Sequence, residues 1–251
     1  MSRQSAKVAV VTGGASGIGL GVARRLAADG NAVAVLDRNG PGAKAAADEL
    51  TAVGARAMAV EVDVADWASV REAFSRVRTE LGPVGILVTS AGIEAFDPLL
   101  DITPERWNHV IAVNLTGTFA CCQAAIPDMI EAGWGRIVTI SSQSAQSGAP
   151  DMAHYSASKG GVIALTKSLA VDLARKGITV NTISPSVVDT PMARAATEAG
   201  NFPGIDTIAP MIPLGRAGTP EDIAAACSYL CSESGSYVTG QLLAVNGGMY
   251  I

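Results

Sequence analysis

Seven short apolar runs, rich in Val and Ile, recur along the chain at 6–11, 32–36, 57–62, 86–88, 137–140, 179–183 and 242–245. None alternates apolar with polar residues, so each fits a strand buried on both faces. Longer amphipathic stretches separate them, at 18–29, 42–53, 67–81, 104–132, 153–176 and 220–231. Two of these open on Thr103-Pro104 and Thr219-Pro220. In each, a capping hydroxyl precedes a proline whose missing N–H the first helical turn does not need. Doubly buried strands that alternate with helices call for a parallel sheet with right-handed crossovers. The pattern predicts an α/β fold, a doubly wound parallel sheet of about seven strands.

At 251 residues, with no linker, repeat or low-complexity tract, residues 1–251 read as a single domain. One stretch breaks the rhythm: 192–213 holds Pro203, Pro210 and Pro213, with Phe202, Ile205, Ile208, Met211 and Ile212 between them. It reads as an irregular, lid-like insert, or as a surface loop or short helix packed beneath itself or against a partner subunit. A net charge of −5 leaves no basic field for nucleic acid or anionic membrane. No apolar run reaches the ~18 residues of a membrane span, and Met1-Ser2-Arg3-Gln4-Ser5 lacks a signal-peptide core. The expectation is a soluble cytoplasmic protein. Cys121, Cys122, Cys227 and Cys231 fit no zinc or redox spacing, and His109 and His154 stand without companions, so metal binding is not indicated.

The first apolar run leads into Thr12-Gly13-Gly14-Ala15-Ser16-Gly17-Ile18-Gly19, and a helix follows. Glycines there let the backbone turn tightly and approach a pyrophosphate seated at the helix N-terminus. Asp37 ends the second run, close to the offset of a ribose-binding acid. Its carboxylate would accept from both ribose hydroxyls and repel a 2′-phosphate, while the adjacent Arg38 would pair with that phosphate. Ser16 stands where a basic residue would help to hold NADP, so the residues favour NAD over NADP. Asp63-Val64 ends the third run, placed to meet an adenine edge or to cap the next helix.

Tyr155 and Lys159 are four residues apart, one helical turn, so phenol and ammonium share a face. A free tyrosine titrates near pH ~10, and a cation beside it favours the phenolate. The expectation is that Lys159 depresses the pKa of Tyr155 and poises it as a general acid and base. Ser142 lies shortly upstream.

Together these residues resemble the short-chain dehydrogenase/reductase family over essentially the whole chain. The elements are Thr12-Gly13-x-x-x-Gly17-Ile18-Gly19, Asp37, Asp63-Val64, Ala91-Gly92, Asn114, Ser142, Tyr155-x-x-x-Lys159, Pro185 and Val188-x-Thr190. The resemblance implies a Rossmann-like fold and a tetrad of Asn114, Ser142, Tyr155 and Lys159. Tyr155 would exchange a proton with the substrate oxygen as hydride passes between the carbon and the nicotinamide, and Ser142 would bond that oxygen. Lys159 would hold the nicotinamide ribose, and Asn114 a water that links Lys159 to solvent. Gly13, Ser16, Gly17, Ile18, Gly19, Asp37, Arg38, Asp63, Val64, Ser90, Ala91, Gly92, Tyr155, Lys159, Pro185, Val188 and Thr190 would line the cofactor. Three departures stand out: Thr89-Ser90-Ala91-Gly92 for the usual Asn-Asn-Ala-Gly, Ser186 for glycine, and Asn246 for aspartate.

The fold does not select a substrate. Glu94, Phe96, Gln143 to Gln146, Met152, Val187 and Met192 are positional candidates for the pocket. Acyl-carrier-protein ketoreductases carry basic residues at the end of the fourth long helix, where this chain has Glu131-Ala132-Gly133, with Arg175 and Lys176 further on. The resulting expectation is an NAD-dependent dehydrogenase of small secondary alcohols or ketones. The runner-up is a 3-oxoacyl-thioester reductase that uses NADPH, and a third reading is a dinucleotide-binding sensor without turnover. The resemblance also implies a homotetramer, which the apolar end Met249-Tyr250-Ile251 suits.

Overall fold

The apolar runs become β1 (Val8–Thr12), β2 (Ala32–Asp37), β3 (Ala57–Glu61), β4 (Val84–Thr89), β5 (Gly135–Ile140), β6 (Ile178–Pro185) and β7 (Leu242–Val245). The computed structural model describes residues 6–251, so the expectation for 1–5 lies outside the described residues. All neighbouring strands pair in parallel, in the order β3-β2-β1-β4-β5-β6-β7. Helices α1 (Gly17–Ala28), α2 (Gly40–Ala52) and α3 (Trp67–Glu80) connect β1 through to β4. Between β4 and β5 run α4 (Pro104–Ile111) and α5 (Gly117–Ala132). After β5 come α6 (Ser144–Ser147) and α7 (Ala153–Leu173), and after β6 come α8 (Pro191–Glu198), α9 (Ile205–Ile208) and α10 (Pro220–Cys231).

Alternate residues of β1 serve opposite cores, as a strand period of two requires. Val8 and Val10 join Phe74 and Val77 of α3 and Cys121, Cys122 and Met129 of α5. Ala9 and Val11 join Val22 and Leu26 of α1 and Ile223, Cys227, Leu230 and Cys231 of α10. All four thiols are free and buried, and burial pushes Cys122 and Cys231 up to about 12. Such thiols stay protonated and unreactive. Among the described residues, no three His, Cys, Asp or Glu side chains group to hold a metal ion.

Two expectations need correction. The predicted helix 104–132 is α4 and α5 joined by a π turn, Ala112–Thr116, which widens the coil around Asn114. The combined helix is long and apolar enough, by length and composition, to pass as a membrane span, with a window of mean hydropathy 1.4. The continuous-run criterion missed it because polar residues such as Asn114 interrupt the apolar ones. Its buried side packs on β4 and β5, the position of a core helix. For 192–213 the irregular reading gives way to the short-helix one: the stretch holds most of α8 and all of α9, with 199–204 outside any helix. Thr190 caps α8 by accepting from the Ala193 N–H at 3.2 Å, with Pro191 in the first turn. This is the same Thr-Pro start that marks α4 and α10.

Strand order reverses at β1, whose neighbours β2 and β4 lead away in opposite directions. Chains leaving the C-terminal ends of β1 and β4 therefore diverge and open a crevice, the usual binding place in open α/β sheets.

Candidate active site

A cleft of about 540 Å³ lies at that crevice. Gly13, Ser16, Gly17, Ile18, Gly19, Asp37, Arg38, Asp63, Val64, Ser90, Ala91 and Gly92 line one part of it. Ser142, Tyr155, Lys159, Pro185, Val188 and Thr190 line the rest. Asn114 alone of the expected residues is fully buried behind the wall.

The nucleotide end is made of main chain. Gly13 has φ +66°, and a Cβ there would stand 2.8 Å from the Ala91 backbone, so β1 and β4 approach only because it is glycine. A Cβ on Gly19 would strike the Gly13 carbonyl. The exposed Ser16 is the N-cap of α1, its hydroxyl caps nothing, and the first turn carries no acid. Unpaired N–H groups, a free hydroxyl and the positive end of a helix suit a pyrophosphate. Asp37 accepts from Ala15 N–H at 3.1 Å and Asn39 N–H at 2.9 Å, which fixes its carboxylate at the rim. Arg38 is exposed beside it. Asp63 accepts from Ala65 N–H at 2.9 Å, closing the turn ahead of α3 while its other oxygen stays free. The residues fit a dinucleotide.

The chemical end is made of side chains. Lys159 is 5% exposed and donates from Nζ to the Ile140 carbonyl at 3.0 Å. Ser141 Oγ donates to the Lys159 carbonyl at 2.9 Å, so β5 grips this turn of α7 twice. Burial lowers the Lys159 ammonium to about 8, against an opposing pull from Glu94. Ser142 Oγ accepts from the Ser144 hydroxyl at 3.0 Å and its N–H at 3.2 Å. Burial, then the charge of Glu94, pushes the Tyr155 phenol well above its ordinary value, and the Ser142 hydroxyl pulls the other way. The expected depression of Tyr155 by Lys159 is therefore corrected for the protein alone. The Lys159 ammonium is 5.7 Å from the ring centroid and is turned to the Ile140 carbonyl, so desolvation outweighs it.

The Asn114 side chain has a structural task. Its Oδ1 accepts from Ile93 N–H at 2.9 Å, and its Nδ2 donates to the Ile93 carbonyl and to Ser158 Oγ, both at 3.1 Å. The amide pins the chain after β4 to α7. His154, next to Tyr155, is fully buried and bonds Asp97 at 2.8 Å, with Arg106 on the same carboxylate oxygen at 3.0 Å. Asp97 has no sequence signal, since its bond to His154 spans 57 residues.

Glu94, Phe96, Gln143, Ser144, Met152, Val187 and Met192 also line the cleft, with Phe202 and Ile208 from the 192–213 stretch. Gln146 does not: its Oε1 accepts from Ser184 Oγ at 2.9 Å beneath the floor. Met249 lines the cleft without having been anticipated. The departures at Ser186 and Asn246 belong together. Ser186 Oγ donates to the Asn246 carbonyl at 3.0 Å, and Asn246 Nδ2 donates to the Tyr250 carbonyl at 2.7 Å. An aspartate could not make that donation, and Ser186 keeps a negative φ, so glycine is not required there. Thr89 Oγ1, shorter than the amide it replaces, is buried without a partner among the described residues.

The match with known proteins runs nearly end to end. A family model described as enoyl-(acyl carrier protein) reductase matches residues 13–250. Acetoacetyl-CoA reductase of Cupriavidus necator is 39% identical, over 98% of each chain. D-threitol dehydrogenase of Mycolicibacterium smegmatis is 40% identical, over 99% of this chain and 95% of its own. A solved 3-ketoacyl-(acyl-carrier-protein) reductase from Brucella melitensis, complexed with NADH, superposes with TM-score 0.90 at 33% identity over 100% of both chains. With this sheet, this cleft and relatives of this similarity, the chain belongs to the short-chain dehydrogenase/reductase family and is an NAD(P)-dependent oxidoreductase with a Rossmann-like fold.

Proposed function

We propose that the chain is an NAD-linked dehydrogenase of small secondary alcohols and the corresponding ketones, with Tyr155 as its general acid and base. The observation that carries this reading is the convergence of Ser142, Tyr155 and a buried Lys159 on one cleft whose far rim holds Asp37. Oxidation takes a hydride and a hydroxyl proton from the carbinol and leaves a ketone; the bound nicotinamide supplies the hydride acceptor. Tyr155 Oη takes the proton. Ser142 Oγ, oriented by Ser144, donates to the substrate oxygen. Lys159 would hold the nicotinamide ribose, and a charge beside the phenol would favour its deprotonated form once the cleft is filled. The Asn114 side chain is spent on Ile93 and Ser158, so a relay water would share its main-chain carbonyl with the Thr118 hydroxyl. Asp37 favours NAD, since it repels a 2′-phosphate.

A 3-oxoacyl-thioester reductase that uses NADPH is the second reading; the names of most of the relatives found favour its substrate class, though the solved one holds NADH. Against it stand Asp37 and the exposed Glu131 at the end of α5, where an acidic carrier protein would meet like charge. We also propose a cytoplasmic, single-domain homotetramer with α8 and α9 as its lid. Exposed Trp107, Phe119 and Ile130 along α4 and α5, and Val171 on α7, are the faces for assembly.

The test is reduced-nicotinamide absorbance with secondary alcohols and ketones, NAD(H) and NADP(H) being supplied separately. Wild-type turnover with NAD should fall by about 10³-fold or more in Tyr155→Phe, the scale of lost general acid–base catalysis. Turnover confined to NADPH and 3-oxoacyl thioesters would establish the second reading instead.

A further inference from the structure

Glu94 is the one acid in the cleft that neither the proton transfer nor the cofactor cradle uses. It sits between two clamps. One residue before it, both main-chain polar groups of Ile93 are held by Asn114, which in turn holds Ser158 of α7. Three residues after it, Asp97 is held by His154 of α7 and by Arg106, and the Asp97 N–H donates to the Asp151 carbonyl at 2.8 Å. The segment 93–97 is thus tied down at both ends onto the helix that carries Tyr155 and Lys159. Glu94 lines the cleft between these ties, and its Oε2 is buried with no hydrogen-bond partner among the described residues. Its charge is felt at both Tyr155 and Lys159.

A carboxylate oxygen shut off from water without a donor is costly, and the ties at Ile93 and Asp97 fix the main chain that carries Glu94. Glu94 is partly exposed at the cleft, so a donor carried by a ligand that enters there would reach its carboxylate. Burial raises the Glu94 carboxyl above its ordinary value while the Lys159 charge pulls it back; in its ionised form it accepts only, and so selects a ligand that carries an O–H or N–H next to the reacting carbon. Lys159 already supplies positive charge there, which opposes a second cation and favours a neutral hydroxyl. A 3-oxoacyl thioester offers neither: the carbons beside its keto carbon bear no O–H or N–H, and the thioester carbonyl one carbon further on can only accept.

We infer that Glu94 is a specificity-determining residue that accepts a hydrogen bond from a substrate hydroxyl adjacent to the reacting carbinol, which makes vicinal diols and polyols the preferred substrate class. The inference rests on the dehydrogenase reading above and narrows it.

The pair 2,3-butanediol and 2-butanol differs by that one hydroxyl and tests it directly. Wild type should prefer the diol in kcat/KM by about 100-fold, a moderate value for a site built around a substrate hydroxyl. Glu94→Ala should bring the ratio near one, and Glu94→Gln, which keeps an acceptor but no charge, should fall between. Calorimetric titration of the diol into the cofactor-loaded proteins should show the same order of affinities. An unchanged ratio in Glu94→Ala overturns the inference. So does an equal loss on both alcohols with a raised KM for NAD, which would give Glu94 to the cofactor. Turnover of 2-butanol without preference for the diol sinks this inference alone. Turnover of 3-hydroxybutyryl-CoA with NADP, and of neither alcohol, sinks the dehydrogenase reading with it.

Discussion

Along β1 and β2 the cleft is walled by main chain, whereas along β5 and α7 it is walled by ionisable side chains drawn out of water. At the first wall Gly13 and Gly19 leave no room for a Cβ, and even Asp37 spends its carboxylate on the N–H groups of Ala15 and Asn39. At the second, the charge of Glu94 shifts both Lys159 and Tyr155, and Lys159 Nζ is fixed by the Ile140 carbonyl, distant in sequence. A cofactor shared by many enzymes is met by backbone shape. A reaction on one substrate is met by charge.

The sharpest way to break this contrast is to damage each wall separately. Gly19→Val pushes a branched side chain into the Gly13 carbonyl and displaces the N–H groups at the start of α1. Cofactor affinity, read by quenching of protein fluorescence, should fall by about 100-fold or more, because overpacking shifts backbone that cannot yield. Tyr155→Phe should leave that affinity within about a few-fold while catalysis collapses. Equal loss of cofactor binding in both would mean that the two walls are not separable.

A smaller effect is expected at the single side chain on which the nucleotide wall relies. Asp37→Ser removes a fixed negative charge and leaves Arg38 free to meet a 2′-phosphate. The ratio of kcat/KM for NAD over NADP should fall by about 10–100-fold, the scale of one charged hydrogen bond gained or lost. Stability should drop by about 1–2 kcal/mol, as Ala15 and Asn39 lose their acceptor. A preserved NAD preference would place cofactor choice in the loop backbone itself.

The same contrast explains what the sequence discloses. Strands β1 to β7, the glycine turn and the Tyr155–Lys159 pair are written in short-range spacing, so periodicity and motif reach them. The π turn at Ala112–Thr116 is not, since one extra residue in a helical turn leaves no mark on an apolar pattern. The sign of the Tyr155 shift is not legible in the sequence, because burial, its largest cause, is a property of the whole fold. Glu94 follows the Ala91-Gly92 element by two residues, so position alone puts it near the pocket; that its segment is tied at both ends shows only in the fold, through Asn114 and His154. For α8 the signal existed: Thr190-Pro191 repeats the start of α4 and α10, but the nearby prolines drew the reading toward an irregular segment.

The smallest expected effect asks whether the nucleotide wall stands by itself. The first turn of α10 presses on α1, where a Cβ on Gly21 would lie 2.7 Å from Pro220. That turn is held by a capping box: Thr219 N–H donates to Asp222 at 2.8 Å, and Asp222 N–H donates to Thr219 Oγ1 at 3.3 Å. Arg216 grips the same carboxylate at 2.6 and 2.9 Å, and chiefly for that reason Asp222 titrates at about 2. Because its folded value lies below the ordinary 3.8, its contribution is present above that pH and fades as pH falls toward about 2. The pair is partly exposed, so screening holds the contribution to about 1 kcal/mol. Asp222→Ala should lower Tm by about 2–4 °C at pH 7, with a gap that narrows at pH 3.5. Cofactor affinity at pH 7 should be unchanged, which would show that α1 keeps its shape through its own glycines. A loss of affinity in step with Tm would instead make α10 a brace on which the backbone wall depends.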